Sequence, residues 1–326
     1  MAGGPPPRAP AARRWMARCS VLAASLALAA CQPAVLDPAG PVASANRSIL
    51  FDSMLIMMAI VGPTILATLA FAWWFRASNP RALRLPNFAY SGRIELVTWA
   101  IPLLTITLLG GVAWVGSHEL DPAKPLPSKT PALEVQVVSL DWKWLFIYPD
   151  QHVASVNQLM IPAGQPVHFQ LTSASVMDSF FIPQLGSMIY TMNGMAANLN
   201  LQADKPGTLW GLSTHYSGDG FSDKHFGVQA LNAGDFAQWV EATRKDGPVL
   251  NTASYAELAK QSINDHPFTY RDADPELFSR IVSQEIPPAP GPKGSGGGQA
   301  GQEAGTGAAA AQTARAEPAV PATGEH

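Results

Sequence analysis

Two long stretches of apolar residues lie in the first third of the chain, and each is long enough to cross a bilayer. Residues 54–75 read MLIMMAIVGPTILATLAFAWWF and residues 96–115 read LVTWAIPLLTITLLGGVAWV, with no charged side chain in either. A helix of about 20 residues spans the roughly 30 Å of a hydrocarbon core. The pattern predicts a transmembrane helix hairpin within residues 31–118. Two buried core helices are the alternative, which the length of the stretches and their flanking tryptophans disfavour.

The loop between the two stretches predicts their direction. It contains no carboxylate before Glu95 and carries four arginines, which are Arg76, Arg81, Arg84 and Arg93. Positively charged loops stay on the cytoplasmic side of a membrane. We therefore expect a multi-pass protein of the bacterial inner (cytoplasmic) membrane, with its amino terminus and everything after His118 on the periplasmic side.

The first residues follow the pattern of a bacterial lipoprotein signal. Residues 1–18 contain four arginines and no acid, and the apolar run that follows ends in Leu-Ala-Ala before Cys31. A positive segment, a short apolar segment and small residues before a cleavage site describe a signal peptide. The pattern predicts removal of residues 1–30 and acylation of Cys31, which would lie at the outer membrane face. An ordinary signal peptide with an accidental cysteine is the alternative.

After the second apolar stretch the pattern changes to short runs of β-forming residues. Runs such as LEVQVVSL, WKWLFIY and VHFQLTS are separated by proline and glycine. Several short strands with closely spaced turn residues are typical of a β-sandwich or barrel. Residues 131–232 are therefore predicted to form one all-β domain outside the membrane.

A helical extension and a tail are predicted to follow the β domain. Helix starts are expected near Asp235, at Ser254 as the first residue of a capping box, and at Asp274, within residues 233–286. Residues 287–326 are rich in glycine, alanine and proline and almost lack bulky apolar residues, so they are predicted to be disordered.

The cysteines limit the chemistry of the outer domain. Cys19 and Cys31 are the two cysteines of the chain, and both precede the membrane segments. The outer domain therefore has neither a disulfide nor a thiolate ligand for a metal. The net charge is −3, and no basic patch with interleaved aromatic residues indicates nucleic-acid binding.

Two motifs carry a resemblance to a known family. Residues 138–149 read VSLDWKWLFIYP, and residues 175–194 read SVMDSFFIPQLGSMIYTMNG. Behind a pair of membrane helices, these runs resemble subunit II of the heme–copper respiratory oxidases, and the match covers roughly residues 31–286. The resemblance implies a cupredoxin-like sandwich. In the cytochrome c oxidase branch this sandwich carries a dinuclear copper site bridged by two cysteines. Their absence points to the quinol-oxidising branch, the cytochrome o type ubiquinol oxidases.

The family's copper-ligand positions hold other residues in this chain. Copper-bearing members have a histidine before Ser-Phe-x-x-Pro, where this chain has Asp178. Their second motif is Cys-x-Glu-x-Cys-x3-His-x2-Met, whose five ligand positions are occupied here by Tyr216, Gly218, Gly220, Lys224 and Gly227. An electron-transfer copper site needs soft thiolate and imidazole ligands, so no metal is expected in this chain. His215 and His225 lie one position from matched ligands and are interpreted as polar residues at strand ends.

Trp142 and Trp144 also match a feature of the family. The tryptophans match the aromatic run that passes electrons to copper in cytochrome c oxidases. Without copper, they are interpreted as packing residues against subunit I or within the sandwich. Asp141 and Lys143, which alternate with them, are expected to point outward.

Glu95 opens a Glu-x3-Trp-x2-Pro pattern, for which the resemblance implies a place at the cytoplasmic entrance of a proton channel into subunit I. The alternative is a carboxylate that only stabilises the helix start, through the helix dipole and nearby Arg93.

The resemblance implies subunit II of a proton-translocating ubiquinol oxidase of aerobic respiration. This chain would be a structural or assembly subunit with no redox centre or cofactor of its own, while heme and copper belong to subunit I. The implied partners are subunit I, the smaller oxidase subunits, membrane lipid, and ubiquinol as substrate of the complex; no nucleic acid is expected. The alternatives are an electron-transferring cytochrome c oxidase subunit II and a non-enzymatic, membrane-anchored lipoprotein that binds a ligand or another protein.

Overall fold

Two long helices form the membrane part of the chain in the computed structural model, which describes residues 34–83, 87–263 and 265–291. Helix α1 is Pro41–Trp74 and helix α2 is Gly92–Glu119, and both contain the predicted spans. Their most apolar windows have mean hydropathies of 2.2 and 1.9 and no buried residue within the chain itself, so these faces are left for lipid or a partner. The predicted signal peptide, Cys31 and residues 292–326 of the predicted tail lie outside the described residues.

Helix α1 begins well before the predicted apolar span, because its first turns pack on the outer domain. Val42 and Ala43 are buried, and the Ala43 N–H donates to the carbonyl of Leu185 at 3.1 Å. The Ala39 N–H donates to the carbonyl of Gln184 at 2.7 Å. One continuous helix of about 50 Å therefore runs from the outer domain into the membrane.

The outer domain is a two-sheet sandwich. Its strands are β1 Leu133–Leu140, β2 Lys143–Tyr148, β3 Val153–Val156, β4 Gln158–Pro162, β5 Pro166–Ser173, β6 Asp178–Phe180, β7 Ile189–Thr191, β8 Ala197–Gln202, β9 Gly207–Leu212, β10 His225–Leu231, β11 Val249–Leu250, β12 Phe268–Tyr270 and β13 Asp272–Ala273. One sheet has the order β12-β3-β2-β1-β5-β8 and the other has the order β4-β10-β9. Two small pairs, β6-β7 and β11-β13, complete the strands of the described residues.

The core between the sheets is aromatic. Side chains alternate along β2, so that Trp144 and Phe146 point between the sheets and meet Phe180 and Phe226 at centroid distances of 5.2–6.4 Å. Phe180 and Phe226 stack at 5.2 Å with an interplanar angle of 11°. These rings fix the positions of β6 and β10, the two strands next to the family's ligand positions.

The carboxy-terminal extension completes the sandwich on its other face. It contains α3 Ala233–Lys245, α4 Thr252–Leu258 and α5 Leu277–Val282. Strand β12 of the extension pairs with β3 at the edge of the large sheet. Helices α4 and α5 cover the outward residues of β2, so that strand is buried on both faces. The predicted fold class, a helix hairpin followed by a β-sandwich with a helical extension, is confirmed.

Two predicted helix starts within the extension are wrong by a few residues. The cap of α4 is Asn251, whose side chain accepts from the N–H groups of Ala253 and Ser254, both at 3.0 Å. Ser254 is the return partner of this capping box and accepts from the Asn251 N–H at 2.8 Å. Asparagine caps helices as well as serine does, so the box begins three residues earlier than predicted. Similarly, Asp274 lies three residues before α5 and accepts from the Glu276 N–H at 3.0 Å.

Gly186 makes a close contact between the outer domain and α1. Its φ is +149°, and a Cβ atom there would lie 2.6 Å from Cγ1 of Val42. We expect Gly186→Ala to lower the free energy of unfolding by about 2–4 kcal/mol, because it adds both backbone strain and a clash. Denaturant unfolding of the detergent-solubilised chain, followed by tryptophan fluorescence, measures the loss.

Gly164→Ala is the matched control for this prediction. Its φ is +79° and no atom lies within 4 Å of the added Cβ, so the cost is backbone strain alone, about 1–2 kcal/mol. Equal losses in the two variants would contradict a tight contact between Gly186 and Val42.

Candidate functional site

Asp178 and Lys224 meet in the interior of the sandwich. Asp178 lies two residues before Phe180 in β6, and Lys224 lies directly before β10, two residues before Phe226. Because side chains two apart along a strand share a face, Asp178 points inward beside Phe180. The buried Lys224 side chain reaches the same interior from the segment before β10. Their side chains are 0% and 1% exposed and form an ion pair between Lys224 Nζ and Asp178 Oδ2.

Hydrogen bonds satisfy both charges of this pair. Lys224 Nζ also donates to Ser139 Oγ at 2.8 Å and to the carbonyl of Leu140 at 2.5 Å. Ser139 Oγ in turn donates to Asp178 Oδ2 at 2.8 Å. The Ser179 N–H donates to Asp178 Oδ1 at 2.7 Å, and Ser213 Oγ donates to the same oxygen. An ammonium group has three protons, and each finds an acceptor here, as a buried charge requires.

The surroundings of Lys224 act on its protonation in opposite directions. Burial lowers the pKa of Lys224 below its ordinary value, while the Asp178 carboxylate opposes that shift. The ammonium also lies 5.0 Å from the centre of the Trp144 ring, a further favourable contact for a cation. The charge of Lys224 therefore depends on Asp178.

The structure pairs Asp178 and Lys224, two of the six positions that hold copper ligands in copper-bearing members of the family, and the other four positions have different surroundings. Tyr216 is 66% exposed, and Gly218 occupies a turn with φ +95°. Gly220 packs against the ring of Trp142, where a Cβ would lie 2.4 Å from the ring, and Gly227 lies within β10. Within residues 34–83, 87–263 and 265–291, no group of three or more His, Cys, Asp or Glu side chains is placed to hold a metal ion.

The donor set also does not fit the family's dinuclear copper. A lysine ammonium that donates all three protons has no lone pair for a metal, and its positive charge repels one. The remaining positions offer a carboxylate, a phenol and glycines, none of which replaces a bridging thiolate. His225 begins β10 and His215 lies three residues after the end of β9.

Trp142 and Trp144 have different roles. Trp144 is fully buried in the core, in agreement with packing inside the sandwich. Trp142 lies in the turn between β1 and β2 with φ +64°, and its indole N–H donates to the carbonyl of Ser217 at 3.0 Å. Trp142 therefore fixes the loop that carries three of the former ligand positions.

Asp141 and Lys143, which were expected to point outward, are almost completely buried. The carboxy-terminal extension covers them. Lys143 Nζ donates to the carbonyl of Lys260 at 2.8 Å and pairs with Asp265 at 3.2 Å. Asp141 accepts from Gln261 Nε2 at 3.0 Å. A strand pattern shows which side a residue faces but not that a distant segment covers that side.

Comparison with known proteins decides the family. The family model described as the periplasmic domain of cytochrome c oxidase subunit II matches residues 150–230, and the one described as the COX aromatic-rich motif matches residues 244–287. The cytochrome bo(3) ubiquinol oxidase subunit 2 of Pseudomonas aeruginosa is 43% identical over 84% of this chain and 82% of its own length. The chain belongs to the family of ubiquinol oxidase subunit 2.

Further relatives of the ubiquinol oxidase subunit 2 family agree. The ubiquinol oxidase subunit 2 of Acetobacter aceti is 45% identical over 82% of this chain and 88% of its own length. The quinol oxidase subunit 2 of Bacillus cereus is 34% identical over 71% of this chain and 79% of its own length. The predicted quinol-oxidising branch is confirmed, and these relatives support it over both alternatives.

In this member of the ubiquinol oxidase subunit 2 family, Glu95 lies in the first turn of α2 and is exposed. It is at the far end of the helix hairpin from the outer domain, because α2 runs from Gly92 to Glu119 and the domain follows Glu119. The side chain is therefore placed at a membrane surface, where a carboxylate can exchange protons with water.

Proposed function

We propose that this chain is the non-redox subunit of a proton-translocating ubiquinol oxidase. The observation that carries the proposal is the buried Lys224–Asp178 pair, because two positions that hold copper ligands in the cytochrome c oxidase branch hold an internal salt bridge here. A site filled by a satisfied ammonium–carboxylate pair has no place for an electron-transfer metal. Heme and copper would then be held by subunit I, and this chain would hold no cofactor.

If this chain holds no electron-transfer site, electrons must enter the complex by another route. A water-soluble donor could not pass electrons through this outer domain, whereas lipid-soluble ubiquinol can deliver them to subunit I from the membrane. The names of the relatives support ubiquinol as substrate of the complex. Subunit I and the smaller oxidase subunits are the proposed partners.

The ion pair would connect two segments of the domain that a bound metal would otherwise connect. Asp178 belongs to β6 and Lys224 to the segment before β10, and their contact joins two parts of the chain that a shared metal would otherwise join. Ser179 Oγ, which accepts from the Thr214 N–H at 2.7 Å, adds a second link between the same two parts. The pair therefore contributes to the rigidity of the domain without redox chemistry.

Membrane orientation and anchoring complete the proposal. The arginine loop 76–93 would lie in the cytoplasm, and the outer domain would lie in the periplasm, in agreement with the positive-inside rule. Cys31 would be acylated at the mature amino terminus. Since two helices hold the chain in the bilayer far more firmly than acyl chains do, the lipid would not be needed for insertion.

Purification of the full-length chain from membranes tests this function. We expect a heme-containing subunit to co-purify, the preparation to consume oxygen with ubiquinol, and the spectrum to lack thiolate–copper absorption. Mass spectrometry of the same preparation should find an acylated Cys31 and no residues 1–30. Oxygen consumption with reduced cytochrome c, or absence of heme from the preparation, would refute the proposed function. An intact signal peptide would refute only the lipid anchor.

A further inference from the structure

The end of α1 opposite the outer domain combines exposed arginines with exposed aromatic rings. Trp73 and Trp74 end the helix, and Arg76 and Arg81 follow it. Residues 53–94 contain four arginines and no carboxylate, although the whole chain has a net charge of −3. We propose that this end of α1 binds an anionic phospholipid, with its phosphate on the arginines and an acyl chain along the rings. The site belongs to this chain and does not depend on the reaction of the complex.

Arg76 is held in a fixed position at the end of α1. Its Nε donates to Ser78 Oγ at 3.1 Å, and its Nη1 donates to the carbonyl of Trp73 at 3.0 Å. The centre of the guanidinium lies 4.7 Å from the centre of the Trp73 ring. Three of its five N–H groups have no acceptor among the described residues. These groups can form the paired hydrogen bonds that a guanidinium makes with two phosphate oxygens.

Arg81 is connected to the same helix end through Asn79. Asn79 Nδ2 donates to the carbonyl of Trp74 at 2.6 Å, and Asn79 Oδ1 accepts from the Arg81 N–H at 3.1 Å. Within the part of the chain that the structure describes, neither Arg76 nor Arg81 forms an ion pair with a carboxylate. Arg76 and Asn79 also satisfy carbonyls at the helix end, which would otherwise repel an anion. The turn therefore keeps two unpaired cations at one place.

An apolar recess adjoins the arginines. Its volume is about 410 Å³, and it is lined by Ala70, Phe71, Trp73, Trp74 and Phe75. The Trp73 ring, which Arg76 covers, is also a wall of the recess, so the charged and apolar parts of the site are in contact. Tryptophans at the end of a span lie at the level of the lipid headgroups. A ligand that fits both parts is charged at that level and apolar beside it, as a phospholipid is.

The fixed geometry goes beyond what membrane topology requires. The positive-inside rule needs positive charge in a loop, but it needs neither an ordered guanidinium nor an apolar recess beside it. An acidic protein segment would use the arginines and leave the recess empty. A zwitterionic lipid would fill the recess but bring no net charge to the arginines. Clustered arginines at a bilayer surface select anionic headgroups, so an anionic phospholipid uses the whole site.

Native mass spectrometry tests this site on the full-length chain as purified from membranes, with the subunits that co-purify. Bound lipid is exchanged by titration with phosphatidylglycerol or phosphatidylcholine. We expect the double variant Arg76→Gln with Arg81→Gln to bind one phosphatidylglycerol about tenfold or more weakly and phosphatidylcholine unchanged. Arg47→Gln is the matched control, because Arg47 lies near the other end of α1, where its Nη1 donates to the carbonyl of Leu36 at 3.3 Å. It should bind phosphatidylglycerol as the native chain does.

Competition with inorganic phosphate separates a lipid site from a site for any phosphate. Excess inorganic phosphate should leave phosphatidylglycerol bound, because the acyl chain remains in the recess. Displacement by inorganic phosphate would refute the lipid site. Equal binding of the two lipids by the native chain, or an equal loss in the Arg47 variant, would refute it as well.

Photocrosslinking in membranes separates a lipid from a protein partner. With p-benzoylphenylalanine in place of Trp74, we expect a product that carries one phospholipid, enriched in phosphatidylglycerol over the composition of the membrane. Leu66 is the control position, since it is 68% exposed and lies about two turns deeper in the bilayer. It should yield lipids in the proportions of the membrane. A product of position 74 with another protein, or with lipids in those same proportions, would refute the site.

Discussion

Asp178→Asn is expected to lower the free energy of unfolding by about 3–5 kcal/mol, because it leaves the Lys224 ammonium buried without its counter-charge. Lys224→Met is expected to cost about 2–4 kcal/mol, since Asp178 keeps its hydrogen bonds from Ser139, Ser179 and Ser213. Urea unfolding of the detergent-solubilised chain, followed by the fluorescence of the buried tryptophans, measures both losses.

The double variant Asp178→Asn with Lys224→Met distinguishes a paired interaction from two separate ones. Replacing a whole buried ion pair by neutral side chains of similar volume is often close to neutral, so we expect the double variant within about 1–2 kcal/mol of the native chain. Losses that simply add would show that the two side chains do not act as a pair. Glu257→Gln, which breaks the exposed pair with Lys260, is the control and should cost less than about 1 kcal/mol.

Glu95→Gln is expected to slow quinol oxidation by the complex about tenfold or more, because glutamine keeps the shape of the side chain but cannot transfer a proton. Glu95→Ala should be about as slow. Assembly should survive in both variants, since Glu95 is exposed and no buried charge is left without a partner. Turnover is measured per heme, so that a smaller amount of complex is not mistaken for slower chemistry.

Normal turnover in both Glu95 variants would retire the proton-entrance role and support a carboxylate that only stabilises the start of α2. Asp121→Asn is a suitable control. Asp121 lies just beyond the other end of α2, so its loss should not affect proton uptake from the opposite side of the membrane.

The fold could be predicted where a local pattern decides it. The two helices follow from uncharged apolar stretches, and the sandwich follows from alternating β-forming residues between turn residues. The start of α1 could not be predicted, because its first turn, at Val42 and Ala43, packs on Leu185 and Gly186, which are distant in the sequence. Tertiary contacts of this kind leave no local signal.

The contacts within the candidate site also could not be predicted from local sequence patterns. The sequence identifies Asp178 and Lys224 only as positions where the family's copper ligands are replaced. That each charge is the other's partner depends on the pairing of strands far apart in the chain. Ser139 in β1 and Ser213 just after β9 complete the network, and neither was identified from the sequence, because a serine in a strand or a loop carries no distinguishing pattern.

Helix α1 connects the outer domain to the membrane without a flexible linker. The orientation of the outer domain relative to the membrane segment of α1 is therefore fixed. Each residue added to or removed from an α-helix turns everything beyond it by about 100° and shifts it by about 1.5 Å. The rotation of the outer domain about the membrane normal therefore depends on the number of residues between Ala43 and the bilayer. Insertions in that stretch would be expected to disturb assembly periodically, least when they approach a whole number of helical turns.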